Sequence, residues 1–202
     1  MSLQSKPIVT LVGGGVRCGK SAFALARAHA LGPRRGFIAT AQAFDKEMAD
    51  RIANHKAERA GQFTTIEAPM AVAQAVRDLQ EMDVVVIDCL TLWLSNLLMA
   101  DLADADIYAE LDGLVAAIAA GRSHLVLVTN EVGLGVVPPT PLGRRFRDLA
   151  GRVHQRCAAV ADEVYFGALG CMLRLRPNPV CLVMAHEFAT VSAAPLAREE
   201  AL

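Results

Sequence analysis

The sequence carries almost no net charge: 20 lysines and arginines stand against 21 aspartates and glutamates in 202 residues, a formal charge of −1. Without a basic surplus, general attachment to a phosphate backbone is disfavoured, and we expect no nucleic-acid partner. The five cysteines are odd in number and include no C-x-x-C pair. This argues against a disulfide framework and a zinc site, and it fits a reducing cytoplasm.

The chain also lacks a long uninterrupted apolar run. Its start has a short apolar stretch before three glycines, which is unlike a signal peptide. The richest apolar stretch, residues 84–100, is interrupted by Asp88, Ser95 and Asn96, whereas a membrane span needs about 20 mostly apolar residues. We therefore expect a cytoplasmic protein with no stable membrane anchor.

Short apolar runs rich in β-branched residues alternate with helical patterns along the chain. Their continuous apolarity predicts strands buried on both faces of a sheet, at 8–12, 37–40, 84–87, 125–128 and 164–166. The helical patterns lie at 21–31, 46–59, 70–80, 92–100, 107–120 and 143–161. This alternation predicts an α/β fold with a parallel sheet and helices on both faces. We assign 1–176 to one domain and 177–202 to a C-terminal extension of unknown structure.

A glycine-rich motif lies directly between the first predicted strand and the first helical pattern. The pattern G-x-x-x-x-G-K-[ST] is matched in full by Gly14, Gly15, Val16, Arg17, Cys18, Gly19, Lys20 and Ser21. The glycines let backbone N–H groups wrap a phosphate chain, Lys20 adds a positive charge, and Ser21 offers an oxygen to Mg²⁺. The sequence therefore predicts a P-loop that binds a nucleoside triphosphate with Mg²⁺.

Such a loop usually needs an acidic residue at the end of a neighbouring strand to hold the Mg²⁺ ion. Asp88 ends the run VVVID in that position, although an ordinary strand-end acid would look the same. Asn130 and Glu131 follow the run at 125–128, where ligands collect in open parallel sheets. The alternative for this pair is a turn before Gly133.

One histidine lies on the apolar side of a predicted helix. At about 100° per residue, one sector of this helix contains Phe44, Met48, Ile52, His55 and Arg59, with Arg51 beside it. One interpretation is a partly buried helix with a satisfied histidine. The other is that His55 faces the triphosphate, because a neutral imidazole can attack a phosphoryl centre.

Four segments occur in order over residues 8–176: GGGVRCGKS, FIATAQAFDKEMADRIANHKAER, VVVIDCLTLWLSNLL and LVTNEVGLGVVPPTPLGRRFRDLAGRVHQRCAAVADEVY. Together they resemble the bifunctional adenosylcobinamide kinase/adenosylcobinamide-phosphate guanylyltransferase family of cobalamin biosynthesis. The resemblance implies a P-loop NTPase with a RecA-like, mostly parallel sheet. It also implies phosphorylation of adenosylcobinamide with ATP or GTP, then transfer of GMP from GTP to adenosylcobinamide phosphate. That transfer would pass through a guanylyl-histidine and give adenosylcobinamide-GDP.

The resemblance also implies roles for individual residues. The family's histidine lies four residues after the arginine of an E-M-A-x-R-I segment, which makes His55 the nucleophile here, with Lys20 as a second catalytic residue. Nucleotide contacts are implied for the whole P-loop and for Ala39, Thr40, Ala41, Lys56, Ala57, Glu58, Arg59, Glu67 and Asp88. Ser21 and Asp88 would hold the metal.

The resemblance further implies a homo-oligomer, which in this family is a homotrimer. Residues 133–147 would form a surface arm near the corrinoid or a subunit interface; a rigid loop before a basic helix start is the alternative.

Two other classes of function fit parts of the pattern. A P-loop kinase acting on another small molecule would use the same loop but form no nucleotidyl-histidine. A GTP-dependent regulatory switch is disfavoured, since no N-K-x-D-like guanine-reading segment follows the predicted strands. For the kinase step, Asp88 or Glu131 would help to position Mg²⁺ or the acceptor hydroxyl, and no residue is assigned as the base.

Overall fold

A computed structural model describes residues 6–59, 61–177 and 182–184. The strands in these residues are β1 Val9–Gly14, β2 Arg35–Ala39, β3 Thr64–Glu67, β4 Val84–Asp88, β5 His124–Val128, β6 Glu163–Ala168, β7 Cys171–Arg176 and β8 Leu182–Met184. The helices are α1 Lys20–Leu31, α2 Lys46–Arg59, α3 Val72–Asp78, α4 Leu90–Met99, α5 Asp104–Ala120 and α6 Pro141–Val160.

The described strands form one sheet in the order β3-β2-β4-β5-β1-β6-β7-β8. Neighbouring strands from β3 to β6 run parallel, whereas β7 and β8 are added antiparallel. Parallel neighbours need a crossover connection, and the helices between them supply it. The predicted α/β fold with a mostly parallel sheet is confirmed.

The central strands are buried on both faces, as their continuous apolarity predicts. Along β4, Val84 and Val86 pack into the cluster that contains Phe23 of α1, whereas Val85 and Ile87 pack into the cluster beneath α3 to α6. Successive side chains of a strand point to opposite faces, so an all-apolar strand supplies two cores at once. Helices therefore cover both faces of the sheet.

Three strands were not predicted from the sequence. Strand β3 lies at an edge, and its sequence TTIE is mostly exposed, so it offers no apolar run. Strand β7, with the sequence CMLRLR, alternates instead of being continuously apolar, and β8 has three residues. Because β8 pairs with β7, part of the proposed extension joins the sheet. Most of 177–202 lies outside the described residues, and the division at 176 stays a prediction.

Four cysteines in the described residues, Cys18, Cys89, Cys157 and Cys171, are free thiols. In the same part of the chain, no helix has the combination of length and apolarity that crossing a bilayer requires.

Candidate active site

The predicted P-loop joins β1 directly to α1. Gly14 and Gly19 have φ angles of 146° and 95°, in the region that side chains rarely adopt, which explains glycine at both positions. Gly15, Val16 and Arg17 are exposed between them. Helix α1 begins at Lys20, and Gly19 before it has no side chain that could cap the helix. The N–H groups at the N-terminus of α1 are therefore available to bind an anion.

The side chain of Cys18 fills a space that two glycines leave empty. A Cβ atom on Gly14 would lie 2.9 Å from Cys18 Sγ, and one on Gly167 of β6 would lie 2.6 Å from it. Gly14 pairs with Gly167 in the sheet, and Cys18 is 5% exposed. Because such contacts are shorter than packed atoms tolerate, the loop's shape depends on small residues in β1 and β6.

The ammonium group of Lys20 lies within the loop. Lys20 Nζ donates a hydrogen bond to the carbonyl oxygen of Gly15 at 2.7 Å, and the side chain is buried. A second, weaker partner is Cys18 Sγ at 3.9 Å. A buried cation held only by neutral groups is well suited to exchange those contacts for phosphate oxygens. Ser21, in the first turn of α1, is partly exposed at the same site.

Several of the predicted nucleotide-binding residues form one row across the sheet. Glu67 of β3 is level with Ala39 of β2, which is level with Asp88 of β4. Asp88 is in turn level with Val128 of β5, the partner of Val12 in β1. The fold thus brings the carboxyl ends of these strands to one edge, where open parallel sheets bind ligands.

Asp88 is partly exposed at this edge, one strand away from β1. The adjacent Cys89 is buried, and burial, followed by the charge of Asp88, raises the pKa of its thiol to about 11. Cys89 is therefore protonated at neutral pH and unsuited to act as a nucleophile.

The segment after β2 is anchored to the segments after β3 and β4. The Thr40 hydroxyl donates to the Cys89 carbonyl at 2.8 Å and accepts from the Cys89 amide at 2.7 Å. Asn96 of α4 donates to the carbonyls of Thr40 and Pro69 at 2.8 and 2.9 Å. The Thr40 hydroxyl is thus engaged within the protein, while Ala39 and Ala41 are partly exposed at the edge.

Helix α2 has the predicted bounds, and its inner face is partly as predicted. Met48 and Ile52 are partly buried, and Arg59 is 8% exposed with its guanidinium 3.7 Å from the ring centroid of Phe37. Phe44 is 63% exposed and precedes the helix, so its predicted place on the buried face is wrong. The helical period does not extend beyond the helix end.

The sequence position of His55 lies within α2, between Ile52 and Arg59, but its side chain, like those of Arg51 and Glu58, lies outside the described residues. Ala57 is exposed. Lys56 pairs with Glu67 at 2.5 Å, which brings two predicted nucleotide-binding residues together. Both side chains are at least half exposed, so the pair contributes little to stability.

A hydrogen-bonded chain of polar side chains lies beside the P-loop at the end of β5. The Thr91 hydroxyl accepts from the backbone N–H of Asn130 at 2.7 Å and lies 3.1 Å from the Thr129 hydroxyl. Thr129 Oγ1 is 2.8 Å from His154 Nε2, and His154 Nδ1 is 3.6 Å from a carboxylate oxygen of Glu131. Burial lowers the pKa of His154, and the charge of Glu131 opposes this shift.

Glu131 takes part in both the site and a turn. Its amide donates to the carbonyl of Gly14 at 2.9 Å, and its carboxylate accepts from the amide of Gly133. Arg147 of α6 donates to the Gly133 carbonyl at 2.6 Å. The turn interpretation of Glu131 is thus confirmed, while a role in ligand binding stays a prediction.

Sequence reasoning missed Thr91, Thr129 and His154 as parts of this site. Two threonines and a histidine carry no motif of their own, and the packing of α4 and α6 at the end of β5 brings them together. The one available signal is a polar residue directly after an apolar strand, which Thr129 satisfies; Thr91 lies in α4 and His154 in α6.

The segment before α6 ends in a helix cap. Thr140 Oγ1 accepts from the Gly143 amide at 3.1 Å, and Pro141 occupies the first turn. Leu134, Val136 and Val137 are more than half exposed. The predicted surface position of this segment agrees with that exposure, while its role at a corrinoid or subunit interface stays a prediction.

The side chains that the structure describes can be tested as ligands for a metal. The described residues include no group of three His, Cys, Asp or Glu side chains that could hold an ion. Mg²⁺ suits such a site, because it commonly binds through one or two protein oxygens with water and substrate phosphates. Ser21 and Asp88 are of the right chemical type for that contribution.

Comparison with known proteins finds relatives that match most of the chain. Residues 10–175 match the family described as cobinamide kinase / cobinamide phosphate guanyltransferase. The chain is 40% identical over 171 residues to the bifunctional adenosylcobalamin biosynthesis protein CobP of Pseudomonas aeruginosa, covering 84% of this chain and 98% of that protein. It is 37% identical over 184 residues to the protein CobU of Escherichia coli, covering 84% and 100%.

Among solved structures, the RadB recombinase aligns with 87% of this chain and 86% of its own at 13% identity, with a TM-score of 0.49. The VirB11 ATPase of the Brucella suis type IV secretion system aligns with 90% of this chain and 49% of its own, with 13% identity and a TM-score of 0.39. The sequence match over residues 10–175 contains the P-loop, Asp88 and α2. The chain therefore belongs to the cobinamide kinase / cobinamide phosphate guanyltransferase family of enzymes.

Proposed function

We propose that this protein phosphorylates adenosylcobinamide with ATP or GTP and then transfers GMP from GTP to adenosylcobinamide phosphate, giving adenosylcobinamide-GDP. The observation that carries the proposal is a complete P-loop, level with a row of strand ends that includes Asp88, in a member of this family. In the kinase step, the acceptor hydroxyl oxygen attacks the γ-phosphorus and the nucleoside diphosphate leaves.

The second reaction has two transfers at the α-phosphorus of GTP. A nitrogen of His55 attacks this phosphorus, the bond to the bridging oxygen breaks, and pyrophosphate departs. An oxygen of adenosylcobinamide phosphate then attacks the same phosphorus and releases the histidine. Pyrophosphate is a highly charged leaving group, so the Lys20 ammonium and the N–H groups of residues 14–21 stabilise it as charge develops.

The nucleotide contacts are proposed along the same edge. The P-loop and Lys20 bind the phosphates, while residues 39–41, residues 56–59 and Glu67 contact the rest of GTP. The row of Glu67, Ala39 and Asp88 supports this arrangement, because it continues from β3 to the neighbourhood of β1. Mg²⁺, held with the help of Ser21 and Asp88, supplies charge neutralisation for the phosphates.

The remaining proposals concern the whole protein. We place it in the cytoplasm as a homotrimer, with residues 133–147 at the corrinoid or subunit interface and 177–202 as an extension of the domain. Exposed Leu134, Val136 and Val137 support an interface on that segment. Sedimentation velocity of the full chain tests the trimer.

The covalent step has a direct test. The protein is incubated with GTP and Mg²⁺ in the absence of corrinoid, with pyrophosphatase present, and its intact mass is measured before and after acid treatment. We expect an acid-labile GMP adduct on the wild type and on His29→Gln, but none on His55→Ala. His29 is an exposed histidine of α1 and serves as the matched control. Absence of an adduct on a protein that binds GTP would leave a P-loop kinase without a covalent intermediate.

A further inference from the structure

The polar chain beside the P-loop has one fixed link. A backbone amide can only donate, so the Asn130 N–H fixes the Thr91 hydroxyl oxygen as its acceptor. That oxygen has a second lone pair, so either hydroxyl can donate in the 3.1 Å contact between Thr91 and Thr129. The Thr129 hydroxyl in turn lies 2.8 Å from His154 Nε2.

The chain orients the histidine ring. Nε2 faces Thr129, and the other ring nitrogen, Nδ1, is the atom 3.6 Å from the Glu131 carboxylate. In the neutral tautomer that carries its hydrogen on Nδ1, Nε2 accepts from the Thr129 hydroxyl and the Nδ1–H faces the carboxylate. Burial lowers the pKa of His154, which favours a neutral ring.

The position of Glu131 relates this chain to the reaction. Its amide is hydrogen bonded to Gly14 at the start of the P-loop, and β5 lies directly beside β1. Asp88 is one strand further away and level with Val12, two residues before Gly14. The Glu131 side chain is 26% exposed, so a substrate can reach it. A carboxylate accepts about four hydrogen bonds, which leaves it capacity beyond Gly133 and His154.

We propose that Glu131 is the base that takes the proton of the acceptor hydroxyl in the kinase step, and that His154 is a positioning residue that holds its carboxylate. This rests on the proposed function. The hydroxyl oxygen forms a bond to the γ-phosphorus, the bond from that phosphorus to the β–γ bridging oxygen breaks, and the proton moves to the carboxylate and then to solvent. The 3.6 Å contact is longer than a hydrogen bond, but contacts of this kind often shorten when the substrate binds.

The two activities of this family offer a built-in control. In the kinase step the acceptor is a neutral hydroxyl, which must lose a proton. In the guanylyl transfer the acceptor is a phosphate, which is already ionised at neutral pH and needs no base. Loss of Glu131 or of its orientation therefore reduces the first reaction selectively, whereas damage to the fold or to the P-loop reduces both.

The variants use the difference between the two histidine nitrogens. Asparagine places its amide near the Nδ1 position, so His154→Asn can still donate to Glu131; glutamine reaches the Nε2 position, so His154→Gln retains the contact to Thr129 and loses the one to Glu131. Glu131→Gln retains an oxygen that accepts from Gly133 but is no longer a base. A merely structural role of His154 would not distinguish its two amide variants in this order.

Each full-length variant is assayed separately for formation of nucleoside diphosphate from ATP and adenosylcobinamide, and for pyrophosphate release from GTP and preformed adenosylcobinamide phosphate. For Glu131→Gln we expect the kinase kcat to fall about 100-fold or more, which is the lower end of general-base effects, with guanylyl transfer within about threefold of wild type. For His154→Gln we expect a fall of about tenfold in kinase kcat with an unchanged KM for ATP, and for His154→Asn a change below about threefold.

Equal loss of both activities in Glu131→Gln, an unchanged kinase kcat, or the reverse order of the two His154 variants would overturn the assignment. If the wild type has no kinase activity, both the assignment of Glu131 and the proposed function are refuted. If the wild type phosphorylates but transfers no GMP, the proposed function loses its second step. The kinase comparison, with ATP affinity as the control, then still decides for or against Glu131.

Discussion

The shape of the P-loop is expected to depend on Gly167, a residue of β6 that lies outside the loop itself. In Gly167→Ala, the new Cβ would lie 2.6 Å from Cys18 Sγ and 2.8 Å from Met172 Cε. The methionine end can move aside, because its side chain is flexible. The sulfur of Cys18 cannot, since it is enclosed between Gly14 and Gly167 within the loop.

The magnitude follows from the cost of overpacking. We expect Gly167→Ala to lower the free energy of unfolding by about 1–3 kcal/mol and to weaken ATP binding. Cys18→Ala, which deletes one buried sulfur, should cost about 1 kcal/mol. The double variant, Cys18→Ala with Gly167→Ala, lacks the sulfur that lies closest to the new Cβ. The cost of Gly167→Ala should therefore be at least about 1 kcal/mol smaller in that background, whereas substitutions at independent sites add to within ~0.5 kcal/mol.

Urea unfolding measures this coupling with the fluorescence of Trp93, the single tryptophan, which is fully buried. Gly151→Ala in α6 is the matched control, because its Cβ would meet nothing within 4 Å; it should be neutral or stabilising and additive with Cys18→Ala. If Gly167→Ala costs the same with and without the sulfur, Cys18 does not transmit the constraint and the reasoning is refuted.

Two further predictions concern stability. Burial, then the charge of Arg27, lower the pKa of His124, with Asp83 and Glu163 opposing, and its Nδ1 accepts from the Ile8 amide at 2.9 Å. The unfolded state therefore binds a proton on His124 more readily than the folded state does. The stability that neutral His124 contributes is complete above about pH 6.5 and is lost as the pH falls through 6.5 toward the folded pKa, by at most about 1.4 kcal/mol per pH unit. His124→Asn keeps an acceptor without titrating, so its unfolding free energy should depend less on pH between 5 and 7; an unchanged slope would contradict this. Asn96→Asp keeps the shape of the side chain but removes the donor to two carbonyls, so it should cost about 2–4 kcal/mol in urea unfolding and weaken nucleotide binding; a loss below 1 kcal/mol would count against that anchor.

The part of the fold that sequence predicts is the part with a local signal. Continuous apolar runs identify β1, β2, β4, β5 and β6, because burial on both faces demands apolar residues at every position. Strand β3 has no such demand, since it lies at an edge with most of its residues exposed. Its existence is decided by pairing with β2, and the sequence of β3 alone carries no record of that pairing.

In the candidate site, too, the sequence predicts the residues that belong to a motif and misses those that do not. The P-loop and Asp88 are predictable because phosphate and Mg²⁺ chemistry fixes residue types at fixed spacing. The contact between Glu131 and His154 joins residues on different elements, with the partners Thr129 and Thr91 at yet other positions. Its members are found through the register of β5 and the packing of α6, neither of which has a motif.

The order of the sheet has a consequence for how the protein is made. Strand β1 leaves the ribosome first, yet both of its neighbours, β5 and β6, come from residues 124–168. The P-loop therefore lacks its second flanking strand until residue 168 has been synthesised, and until then Cys18 has no Gly167 to pack beside. Nucleotide affinity should appear late and abruptly along a series of nascent chains. Because a ligand of the native state stabilises that state alone, cellular ATP and GTP would favour finished molecules over fragments.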